Sequence, residues 1–126
     1  MKSFVGAMIA FVIIVAGVQV YSVMLNRSVD AMEECVEQIL TAADREDWQS
    51  CRNQLDCFLN HWETAKKWFA VFIHHEEMDF INEALYEIEM YIRYEKQAET
   101  AAKANVLKIL LEHIPENERL TPENIL

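Results

Sequence analysis

The chain has 126 residues and a net charge of −10, room for one small domain and too little for two. Its acidity is lopsided, because all 21 Asp and Glu follow Asn26, as do 10 of the 11 Lys and Arg, and such a surface makes nucleic acid a poor partner. Gly6 and Gly17 lie in the opening segment and Pro115 and Pro122 near the end, so the stretch between has neither the turn residues of a hairpin-rich β architecture nor a phosphate-cradling loop.

Residues 4–25 carry no formal charge and as a helix would cross the roughly 30 Å of bilayer hydrocarbon. A cleaved signal peptide is the rival reading, since Lys2 gives a basic start and Val20, Tyr21 and Ser22 a small-residue cleavage site. The apolar run is longer than a usual signal core. The expectation is therefore an uncleaved single-pass anchor over residues 1–26 and an acidic helical domain over 27–126. Lys2 at the head, against Arg27 beyond the span, gives a cytoplasmic N-terminus and an extracytoplasmic domain in the cell membrane. Gly6, Ala10 and Gly17 fall close to one face, where small residues let a second helix approach, although such residues are also ordinary in membrane helices.

Beyond the span, Ser28 or Asp30 opens a new helical register, with Val29, Met32, Val36, Ile39 and Ala43 on one face of a helix over about residues 28–43. Asp44 is the candidate N-cap of the next helix, with Asp47 three positions on. That helix holds an unbroken seam at Trp48, Cys51, Leu55, Phe58, Trp62, Ala65, Phe69 and Phe72. Rings of this size suit a bundle core better than a two-stranded zipper. The phase slips near His74 and His75, and a third helix from about Glu76 to Lys96 carries Met78, Ile81, Leu85, Ile88 and Ile92. Ala98, Ala102, Val106, Ile109, Leu110 and Ile114 mark a fourth, which Pro115 closes. Thr121 and Pro122 could start one last turn that lays Ile125 and Leu126 on the bundle. The fold expected is all-α, an N-terminal transmembrane helix followed by an antiparallel, four-helix bundle-like domain.

Groups able to do chemistry are sparse. His74, His75, Glu76, Glu77 and Asp79 put two imidazoles and three carboxylates within six residues, but neither helical metal motif, His-Glu-x-x-His or paired Glu-x-x-His, is present. Electrostatics at the ends of two helices accounts for this cluster more simply than a metal does. No serine has a neighbouring base in sequence, and no cysteine a neighbouring histidine, so no catalytic residue, cofactor or metal is assigned. Measured from a turn at Asp44, Cys35 and Cys51 stand at nearly the same height in a helical hairpin and are a candidate disulfide, but two reduced thiols packed as small hydrophobes, with Cys51 on the seam, are the preferred reading, and Cys57 is left unpaired in either case.

The stretch from His75 through Asp79, Leu85 and Tyr91, Asn105 to Lys108, Glu112 to Ile114, and Glu123 to Leu126 resembles an uncharacterised family of small, membrane-anchored helical proteins of Gram-positive, often spore-forming, bacteria. The resemblance implies a helical architecture in a bacterial envelope and transfers no catalytic residue. It singles out His75, Glu77, Asp79 and His113 as a second-choice ligand site. The function expected is that of a non-enzymatic interaction module beside the bilayer, binding a membrane protein or a second copy of itself. The alternative is a small-ligand or metal sensor built on residues 74–79.

Overall fold

The computed structural model describes residues 1–117, in four helices and no strand: α1 (Lys2–Asp44), α2 (Trp48–Phe72), α3 (His75–Arg93) and α4 (Gln97–Asn117). The segment holding Thr121, Pro122, Ile125 and Leu126, for which a last helical turn is expected, lies outside the described residues.

The segment expected as an anchor and the first bundle helix are one helix. α1 runs 43 residues without a break, about 64 Å at the usual rise, and no new helix begins at Ser28. Nothing between Gly17 and Asp44 breaks a helix, since that stretch has no proline or glycine, and each added residue gains a hydrogen bond once the helix has started. The two parts of α1 differ in what surrounds them. Every residue from Met1 to Val20 is exposed, while Leu25, Val29, Met32, Cys35, Val36, Ile39, Ala42 and Ala43 form a buried stripe. Packing therefore starts inside the expected span, at the half-buried Tyr21 and the buried Leu25.

Two tight turns of the same design end α1 and α3. After α1, Glu46 takes φ 55°, its N–H bonds to the Ala43 carbonyl at 3.0 Å, and the Asp47 N–H bonds to the Ala42 carbonyl at 2.9 Å. After α3, Glu95 takes φ 54°, with its N–H on Ile92 at 3.1 Å and the Lys96 N–H on Tyr91 at 2.8 Å. Both are Schellman caps with glutamate where glycine is usual. The N-cap of α2 is Asp47, three residues beyond the expected Asp44, which is still in α1; its carboxylate accepts the Ser50 N–H at 3.2 Å and the Ser50 hydroxyl at 2.7 Å. That hydrogen bonding holds the Asp47 carboxyl below its ordinary pKa.

Between α2 and α3 the chain straightens for two residues, Ile73 and His74, both extended. His74 is the N-cap of α3 but makes no side-chain cap bond. The dipole at this end is met by Glu76 and Glu77 in the first turn.

α1 packs on α2 and α4, and α3 packs on the same two, so the helices close in an up-down-up-down ring. The expected core residues Leu55, Phe58, Trp62, Phe69, Ile81, Leu85 and Ile88 are all buried, and Trp48, at the end of the seam, is half-buried. Trp62 and Phe69 meet edge to face with ring centroids 6.1 Å apart. α4 departs from its expected phase: Thr100, Ala104, Leu107, Leu111 and Ile114 face the core, while Ala98, Ala102, Val106 and Ile109 are exposed and Leu110 is half-buried. Apolar residues on more than one face, from Val106 to Leu111, let two stripes compete, and the sequence period cannot choose between them. α4 also continues through Pro115 to Asn117, because a proline this close to a helix end removes only one hydrogen bond from the ladder.

Polar contacts at the seams lock the ring. The Gln97 side-chain amide donates to the carbonyls of Ala43 at 3.1 Å and Asp44 at 3.3 Å, closing the C-terminus of α1 from the start of α4. Lys103 of α4 pairs with Glu87 of α3 at 2.8 Å, and Lys108 of α4 pairs with Glu37 of α1.

Candidate functional site at the seam of α1 and α2

The first turn sets which side chains of α1 and α2 meet. Its pivot is Glu46 rather than Asp44, so Cys35 and Cys57 each stand 11 residues from it while Cys51 stands only five away. Moving the pivot by two residues puts Cys51 about 9 Å from the height of Cys35 along the axis. The structure brings Cys35 to Cys57 rather than to Cys51, and all three cysteines are free thiols. The Cys51 thiol, on the buried seam, donates to the Ile39 carbonyl at 3.8 Å, and the Cys35 thiol donates to Cys57 Sγ at 2.9 Å. The height of Cys51 was misjudged from a pivot that the Schellman cap displaces.

His61 completes a cluster. It lies one helical turn after Cys57, so both project from one face of α2, and a ring nitrogen of His61 and the sulfurs of Cys35 and Cys57 all lie within 4.8 Å of one another. The three differ in access: Cys35 is buried, Cys57 half-buried and His61 exposed. Burial pushes the Cys35 thiol up to about 12, helped by its hydrogen bond to Cys57 and by repulsion from a Cys57 thiolate. Burial also raises the Cys51 thiol, with the Asp47 carboxylate adding to it. The cluster thus has one thiol held protonated inside and a second, half-buried thiol nearer the surface. Two sulfurs and an imidazole nitrogen are chemically able to take a thiophilic cation, and the sulfur pair alone to form a bond.

A second feature lies nearer the apolar end of α1. Tyr21, Leu25 and Ser28 of α1 and Ala65, Trp68 and Phe69 of α2 line an almost wholly apolar groove of about 340 Å³. Trp68 is 57% exposed and Val71 73%, so the last turns of α2 present apolar surface at the level where α1 leaves the bundle. Lys66 and Lys67 precede them, and no acidic residue occurs from Thr64 to His75.

The residues favoured by the sequence as a second-choice ligand site are not gathered in this way. His75 and Asp79 share a face of α3 and are exposed, Glu77 is half-buried, and His113 is exposed on α4. Among the described residues, the group of three or more His, Cys, Asp or Glu with ligand atoms in mutual reach is Cys35, Cys57 and His61. Cys57 and His61 were missed from the sequence; the signal that could have found them is their spacing of four together with the equal distance of Cys35 and Cys57 from Glu46.

On the other side of the bundle, Glu33 of α1 faces α4. Burial raises its carboxyl above the ordinary value, and the carboxylates of Glu112, Asp30 and Glu37 add to the rise while Lys108 opposes it.

With this geometry in place, the comparison with protein families is informative: a family model described as a domain of unknown function, DUF4363, matches residues 20–125. The chain belongs to that family. The DUF4363 match begins at the residue where the fully exposed stretch of α1 ends and takes in the whole bundle. Both Schellman turns and the Cys35, Cys57 and His61 cluster of this chain therefore fall within the DUF4363 domain. No curated protein and no solved structure matches the chain.

Proposed function

We propose that this DUF4363 protein is a non-enzymatic, membrane-anchored interaction module of the bacterial cell envelope, with its bundle outside the cytoplasm and a membrane protein or a second copy of itself as partner. The observation that carries this reading is the continuity of α1. This helix is long and apolar enough to cross a membrane, a test that an N-terminal signal sequence also passes. Here the same helix continues without a break into the core of the bundle. Cleavage after residue 22 would cut between Tyr21, which packs on the core, and the buried Leu25, and would take Tyr21 out of the groove that Trp68 lines. A helix with no joint at the membrane surface also holds the bundle at a fixed height and orientation, which suits contact with a neighbour in the same bilayer.

A Cβ added to Gly6 or Gly17 would meet nothing within 4 Å, so both positions are open to an approaching helix. Replacing Gly6, Ala10 and Gly17 together by leucine should leave the bundle folded and weaken association, because close backbone approach drives helix pairing in lipid. A reporter active only outside the cytoplasm, fused after Leu126, should be active, and the protein should remain in the membrane fraction at full mass. Release into the medium at the mass of residues 23–126 would overturn the anchor, and undiminished crosslinking of the leucine variant would remove the helix face as the site of association.

The sensor alternative at residues 74–79 has less behind it, since among the described residues the ligand atoms in mutual reach are those of Cys35, Cys57 and His61. Replacing His75, Glu77 and Asp79 together should leave the fold intact, and zinc or manganese should shift the melting temperature of neither protein. A shift in the wild type that the triple substitution abolishes would restore the sensor reading, because a ligand held only by the folded state raises its stability.

A further inference from the structure

We propose that Cys35 and Cys57 are a dithiol that closes into a disulfide between α1 and α2, formed by exchange with an incoming disulfide that enters at Cys57. Two sulfurs at 2.9 Å are already inside ordinary non-bonded contact, and they sit on neighbouring helices at equal distance from one turn, so closing the bond calls for side-chain adjustment and no change of register. Their unequal access sets the order of events. Cys57 is half-buried and Cys35 fully buried, so of the two Cys57 is the more accessible, which is the division between an entering and a resolving thiol. The raised pKa of Cys35 keeps it from acting first.

The exchange balances as follows. Cys57 gives its proton to solvent and its thiolate attacks one sulfur of R–S–S–R. The S–S bond breaks, a Cys57–S–S–R bond forms, and RS⁻ leaves and is protonated to RSH. Cys35 then loses its proton to base and attacks Cys57 Sγ, forming the Cys35–Cys57 bond and releasing the second RSH. The protein is oxidised by two electrons, and one disulfide is reduced to two thiols. The product fixes the helix that carries the exposed apolar stretch to its neighbour across 22 residues of chain. Formation of the bond depends on this geometry alone; its persistence in the cell rests on the extracytoplasmic reading above, because a reducing cytoplasm would reopen it.

The experiment uses the full chain in detergent, reduced, cleared of metal, and then exposed to excess glutathione disulfide. Titratable thiols in the denatured product should fall from three to one, the protein should lose two hydrogen atoms in mass, and the peptide map should join Cys35 to Cys57. Cys51→Ser should behave like the wild type. Cys35→Ser should stop at a stable glutathione adduct on Cys57, and Cys57→Ser should form no intramolecular bond. The melting temperature should rise on oxidation and return on reduction. Three free thiols after oxidation, or a bridge that includes Cys51, would overturn the proposal. A saturable one-to-one zinc site that depends on His61 and blocks oxidation would also overturn it, assigning the cluster to a metal. Because the assay needs no membrane sidedness, its failure is separable from failure of the reporter experiment.

Discussion

The indole Nε1 of Trp62 donates a hydrogen bond to Asn82 Oδ1 at 2.9 Å, tying a buried ring of α2 to an exposed side chain of α3. The α2 and α3 seam is the loosest of the four, which gives this one bond unusual weight. Asn82 looks dispensable by exposure, yet it satisfies a donor on a ring that is 1% exposed. Asn82→Ala should therefore cost about 1–3 kcal/mol, the cost of leaving a buried donor unmade. Trp62→Ala should cost about 3–5 kcal/mol through the cavity it opens, while Glu89→Ala, on the surface, should stay within about 0.5 kcal/mol. Denaturant titration of the three variants checks the order, and an Asn82→Ala protein as stable as wild type would show that water replaces the amide.

Glu46 and Glu95 hold left-handed backbone that costs an L-residue about 1–2 kcal/mol and costs glycine little. The glutamates are tolerated because each cap satisfies two carbonyls that would otherwise be orphaned. Glu46→Gly and Glu95→Gly should each stabilise the bundle by about 0.5–1 kcal/mol once the greater freedom of glycine in the unfolded chain is set against the relief of strain. Alanine, which keeps the Cβ, should give no such gain. The comparison of glycine with alanine at both turns separates backbone strain from loss of a charge.

These turns also mark what could be read from the sequence and what could not. The seams of α2 and α3 were legible because each keeps an unbroken spacing of three and four, even though Trp68, Val71 and Phe80 lie off them on exposed faces, and the first bundle stripe, Val29 to Ala43, is buried as its period requires. The phase of α4 was not, since its apolar residues spread around the helix. The relative heights of the cysteines were not legible for a reason of geometry: the pivot of a hairpin depends on its cap type, and a Schellman cap built on glutamate leaves no glycine to betray it. Asn26, Arg27 and Ser28 look like the edge of a domain because polarity changes there, but a change of polarity does not end a helix. The spacing of four between Cys57 and His61 is a local signal, but the third member, Cys35, comes from another helix, and only the fold brings it to them.

Glu33 should make the bundle lose stability as pH rises. Its folded pKa is raised above the ordinary 4.5, so the folded chain binds the proton more tightly than the unfolded one in the window just above that value. Stability from this group is full below the window and falls as pH climbs through it. Glu33→Gln should remove that slope and melt at a higher temperature than wild type at pH 7, because repulsion from Glu112, Asp30 and Glu37 goes with the charge. At a pH below the window the two proteins should melt alike. Equal melting at both pH values would mean that Lys108 already neutralises the site.

Trp68 should sit in the headgroup region of the bilayer. The fully exposed apolar stretch of α1 ends at Val20, and the groove that Trp68 lines is built partly from Tyr21, Leu25 and Ser28, so a span over the preceding residues sets the height of the last turns of α2. Tryptophan favours that zone because its ring is apolar and its N–H polar, and Lys66 and Lys67 fit beside lipid phosphates. Trp62 is shielded in the core, and Trp48 lies at the opposite end of α2. In vesicles carrying brominated lipids, the fluorescence of the full chain should be quenched most by bromines at shallow acyl positions, and Trp68→Phe should abolish most of the quenching. Trp68→Ala should also weaken retention of the bundle against the surface, read as faster cleavage of the Ile73 to His75 link by added protease. Quenching that survives in Trp68→Phe would place another tryptophan at the lipid surface and set the bundle in a different orientation from the one α1 imposes.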